Sequence, residues 1–235
     1  MSGILCIVKI VELSGRRELC IMCEIKNKII KTILQNELSR DVKLQMCQYN
    51  NGARLKKNYP KAYTIEMDLE NFDEEIFLHE CMHISQFENG FPKLRTNKKT
   101  NNLETRLLCL IQDLVLDTMV NRYIEEKYNY TFKENNTKYV GYLSQLNSLN
   151  HKNVTKNICK LFAIESAYIF LNSKQSNGND LIEQFGIRTK SEVKDMYLNI
   201  LDAFSKYPNN NSESCFNIFD HIISSCKLND VCVIS

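Results

Sequence analysis

The stretch His79-Glu80-Cys81-Met82-His83 constrains this chain more than any other. It is an H-E-x-x-H pattern inside a segment, Phe72 to Phe87, that reads as a helix. On a helix, positions i and i+4 lie on one face, so the two imidazoles can grip one metal ion. Glu80 stands beside them, placed to act on a metal-bound water and not on the metal itself. Only four histidines occur in 235 residues, and two of them are here. The bland alternative is one satisfied core histidine and one exposed one. The helix, however, has a defined start and stop. Asn71 and Asp73 suit the N-cap, and Glu74 and Glu75 suit the positive end of the dipole. Asn89-Gly90 suits a left-handed C-terminal cap, with Pro92 beyond. Ile76, Phe77, Ile84 and Phe87 can bury other faces and leave the histidines on a flank of the core.

A chain this long fits one large domain, or a core with an extension. Its net charge of +2 offers no basic footprint for nucleic acid and no acidic tail. The ten cysteines are scattered and do not suggest a disulfide scaffold. Several, such as Cys109, sit in apolar runs and read as small buried hydrophobes. Cys20-Ile21-Met22-Cys23 is a single C-x-x-C; packing on a helix explains it better than redox or metal chemistry. No signal peptide or membrane span is evident, so a cytoplasmic, reducing compartment is expected.

Periodicity predicts strands over 41–49 and 62–68 and a helix over 17–38; residues 4–13 read as a strand, with a helix as the alternative. Asn50-Asn51-Gly52 is a turn signal. Residues 90–102 read as a loop. A long helix over 103–128 follows, capped by Asn101 with Glu104 at its third position. Further helices are expected over 154–171, 180–185, 191–207 and 215–227, and Thr189-x-x-Glu192 is a capping-box signature. The expected class is α+β. A small N-terminal sheet and the H-E-x-x-H helix would form a core over 1–130, with a helical extension over 131–235 packed on it.

Strands, an H-E-x-x-H helix and a second helix bearing acids come in the order used by zincin-type metallopeptidases, and residues 41–128 resemble that class. The resemblance implies a zinc peptidase acting on a protein or peptide substrate inside the cell. It further implies that the strand at 62–68 lies along the cleft and pairs with an extended substrate. A catalytic zinc wants three protein ligands and an open position. The metzincin extension is absent, because Gln86 and Asn89 stand where its glycine and third histidine would be. His151 and His221 lie in other segments. The third ligand is therefore sought in the next helix, where Asp113, Asp117 and Asn121 recur every four residues among apolar neighbours. A solvated face is the bland reading of that stripe. Asp117-Thr118-Met119-Val120-Asn121 resembles the D-x-x-[VI]-N piece of metallopeptidases that accompany von Willebrand-type domains. The aromatic residue and asparagine that precede it there are Gln112 and Asp113 here.

Asp117 is the expected third ligand, 34 residues after His83. Glu104, 21 residues after His83, is the alternative. Its spacing resembles gluzincins and ImmA/IrrE-like peptidases, but it can also cap its own helix. Asp113 would then orient a histidine. The implied mechanism has Glu80 as general base on a zinc-bound water, with a donor such as Tyr123, Tyr128 or Tyr130 on the oxyanion. A different class of reading is a non-catalytic binding or regulatory module with a structural metal. The tail Cys232-Val233-Ile234-Ser235 fits C-a-a-X, so in a eukaryotic cytosol Cys232 is a candidate for farnesylation and membrane association. A short apolar tail packed on the body is the bland reading of it.

Overall fold

A computed structural model describes residues 6–11, 18–23, 25–38, 43–46, 53–58, 62–67, 72–97, 100–132, 155–172 and 191–235. The class is α+β. The chain divides into two compact units, one of residues 1–89 with 128–130, the other of residues 90–127 with 131–235. The division thus falls at Gly90, and the long acid-bearing helix belongs with the later helices.

In the first unit, β1 (Cys6–Val11) and β2 (Glu18–Cys23) form an antiparallel pair running from Cys6↔Cys23 to Val11↔Glu18. The helix expected over 17–38 is therefore two elements. The Cys20/Cys23 pair lies in a strand, where strand pairing has overridden a weak helical stripe. Helix α1 (Lys28–Glu37) starts where Asn27 accepts hydrogen bonds from the backbone N–H groups of Ile29 and Ile30. A second sheet has the order β3-β5-β4, with β3 (Lys43–Met46) parallel and β4 (Ala53–Asn58) antiparallel to β5 (Ala62–Met67). β4 carries no clear alternation and escapes a periodicity reading. It also corrects the expectation for residues 62–68. Because β5 is central and paired on both sides, it has no open edge for a substrate. The Asn50–Gly52 turn, His151, the 180–185 helix and the Thr189 cap lie outside the described residues.

Helix α2 (Glu74–Glu88) follows, with Asp73 Oδ1 accepting from Glu75 N at 2.8 Å and Ile76 N at 3.2 Å. Gly90 takes φ +77°, the left-handed conformation that suits a residue without Cβ. Phe77, Leu78, Cys81, Met82 and Ile84 are buried, and α2 packs on α1, β4 and β5. Glu74 has a second task, accepting the Lys26 and Asn27 N–H groups at 2.7 and 2.9 Å where α1 begins.

The second unit holds α3 (Asn102–Tyr128), α4 (Lys156–Asn172), α5 (Ser191–Lys206) and α6 (Ser212–Ser225). α5 packs on both α4 and α6, around a core that includes Phe162, Phe204 and Phe219. The segment expected as a loop contains β6 (Leu94–Thr96), which pairs antiparallel with β7 (Cys232–Ile234). Lys93 and Ser235 exchange backbone hydrogen bonds at 2.8 and 2.9 Å, and Leu94 N donates to Gln112 Oε1 at 3.2 Å. Cys232 is buried, its thiol facing the Leu228 carbonyl at 3.6 Å. Cys81, Cys159, Cys215 and Cys226 are also buried thiols, but Cys109 is exposed, against its expected burial. Among the described residues, no helix is long and apolar enough to cross a membrane.

Candidate metal centre

Burying one side of α2 leaves His79, His83 and Gln86 along a single stripe, spaced i, i+4 and i+7. His79, Glu80 and His83 are half-buried. The Nε2 atoms of His79 and His83 stand 3.1 Å apart, and the rings meet edge-on at 89° with centroids 4.7 Å apart. Two nitrogens at 2.0–2.1 Å on a tetrahedral zinc would be separated by about 3.3 Å. The pair thus stands close to ligand spacing.

Gln86 is what aims His83. Its side chain is buried, and Oε1 lies 2.9 Å from His83 Nδ1. An amide oxygen only accepts, so Nδ1 carries the proton. The Nε2 lone pair of the neutral ring is then turned toward His79. The Phe87 ring stacks on His83 at 20°, with centroids 6.4 Å apart. Reading the sequence for ligands treats Gln86 only as a missing glycine. The signal for its role is its place three residues beyond the second histidine.

On α3, Asp117 is half-buried and Asp113 exposed. Asp117 Oδ2 accepts a hydrogen bond from the Tyr168 hydroxyl on α4 at 2.7 Å. Neither periodicity nor a motif marks Tyr168 in the sequence. His79, His83 and Asp117 each offer one ligand atom, and these atoms all lie within 4.8 Å of one another. This group can hold a metal ion. Two imidazole nitrogens and a carboxylate oxygen make a donor set that suits zinc.

Glu104 is not in this group. Glu104 N donates to Asn101 Oδ1 at 2.9 Å, and Asn101 N donates to Glu104 Oε2 at 3.0 Å, a reciprocal capping box. The three tyrosines considered as oxyanion donors are engaged elsewhere. Tyr128 donates to Glu37, Tyr130 donates to Glu75 at 2.5 Å, and Tyr123 accepts from Lys127 at 2.6 Å. Burial, reinforced by the Glu75 carboxylate, raises the Tyr130 phenol well above its ordinary range. His221 lies 3.9 Å from Asp202 on α5 and takes no part in the group.

The chain matches no family model, no curated protein and no solved structure.

Proposed function

We propose that this chain is a zinc-dependent metallopeptidase of zincin type, with His79, His83 and Asp117 as the metal ligands and Glu80 as general base. The observation that supports this best is the N, N, O group of those three residues, with Glu80 next to the first ligand. A zinc ion held there would supply a Lewis acid for a carbonyl oxygen and bring the pKa of a water to near 7. Glu80 takes the proton of the attacking water on its carboxylate and delivers it to the leaving amine. Gln86 keeps His83 in the tautomer that leaves Nε2 bare. The substrate is a protein or peptide. Because β5 is paired on both sides, an extended substrate would use another strand. β4 ends its sheet among the described strands and packs against α2.

A closed structural site would need a fourth ligand, and Glu104 is the acid considered for it. Its engagement in the capping box favours the open, catalytic arrangement over the structural one.

Glu80→Gln is the direct test. The variant is expected to keep its zinc and to lose hydrolysis of a mixed peptide library, read by mass spectrometry, by at least about 10²-fold. Cleavage at the wild-type rate by the zinc-loaded variant would sink the mechanism.

A further inference from the structure

Helices α3 and α4 meet along a polar seam whose pairs occur in the same order on both. Arg106 lies 3.8 Å from Glu165, the Tyr168 hydroxyl donates to Asp117 at 2.7 Å, and Asn172 Nδ2 donates to Thr118 Oγ1 at 2.9 Å. Asn121 Nδ2 donates in turn to Asn172 Oδ1 at 2.7 Å. Glu165, Tyr168 and Asn172 are spaced i, i+3 and i+7, so one face of α4 carries all three. Asn172 also holds its own helix, through the Tyr168 carbonyl at 3.0 Å. Thr118 is fully buried, so the contact between Asn172 and Thr118 fixes the register of the seam. The Tyr168 hydroxyl is thereby delivered to a set place.

We infer that Tyr168 is the positioning residue for Asp117. Its hydroxyl pins Oδ2, fixes the carboxylate plane, and favours donation to a cation through a single oxygen. A phenol giving its proton to an ionised carboxylate makes a charge-assisted bond, strong enough to hold a rotor. It adds no charge that would compete with the metal. Partners of this kind around metal ligands set ligand orientation and are worth about 10–100-fold in affinity. This inference rests on the proposed metal centre, and the test separates the two.

Zinc affinity is measured by competition with a chromophoric chelator on the full chain, for wild type, Tyr168→Phe, Asp117→Ala and the double variant. The visible spectrum of the cobalt-loaded protein is recorded alongside. Tyr168→Phe is expected to weaken zinc by about 10–100-fold and to change the cobalt spectrum as the carboxylate turns. It should have no further effect once Asp117 is alanine. An unchanged affinity and spectrum in folded Tyr168→Phe would overturn the positioning role. So would a full effect that persists in the Asp117→Ala background. Wild-type protein that takes up no zinc overturns the metal centre itself, and the positioning role with it.

Discussion

His83 is held from the nitrogen that faces away from His79. Gln86 accepts its Nδ1 proton at 2.9 Å, and Phe87 stacks on the ring. Gln86→Ala removes the acceptor, so the imidazole is free to turn and to exchange tautomers. Zinc affinity should fall about 10–100-fold while helix content is retained, by chelator competition and circular dichroism. An affinity equal to wild type would show that Gln86 does not orient the ligand. At this scale the sequence is readable where chemistry and helical spacing coincide. His79, Glu80 and His83 announce themselves, as do the N-cap at Asp73 and the left-handed Gly90. Asp117 is reached through its acid stripe and a resemblance. Tyr168 is not reachable, because its meaning depends on a helix 51 positions away in sequence from the carboxylate it touches.

Helix α4 carries a buried acid where an apolar residue would be simpler. Glu165 is 3% exposed, and among the described residues its Oε2 has no hydrogen-bond partner. Burial pushes its carboxyl up to about 7 from the ordinary 4.5, opposed by the Arg106 guanidinium. Between those values the folded chain keeps a proton that the unfolded chain has lost. Stability therefore falls as pH rises through that window and levels off above about pH 7. Glu165→Gln should remove this slope, with a gain at pH 8 on the order of 1–3 kcal/mol at most. Urea unfolding of both proteins at pH 5 and pH 8 measures it. A difference between the two proteins that does not vary with pH would contradict the assignment. Elements also show why parts of the sequence mislead. Residues 18–23 look helical only until β1 is there to pair with them. β6 is three residues long and draws its partner from the far end of the chain, so no local periodicity can reveal it.

Helix α2 lies in one compact unit and nearly all of α3 in the other. Helices α3 and α4 share half-buried polar pairs that a linear reading cannot anticipate. What the sequence does convey at this scale is the α+β class, with strands early and helices late. The tail shows the same limit, because its four residues read as a lipid-acceptor motif or as a short apolar tail packed on the body. In the structure Cys232–Ile234 form β7, with Cys232 buried. The claim on which the functional account rests is that His79, His83 and Asp117 together bind zinc. Metal content of the purified full chain, by plasma mass spectrometry, tests it most directly. The account predicts about one zinc per wild-type chain, lost in folded His79→Ala and in folded Asp117→Ala. A folded wild-type chain that stays metal-free in excess zinc, or variants that keep their full complement, would contradict it.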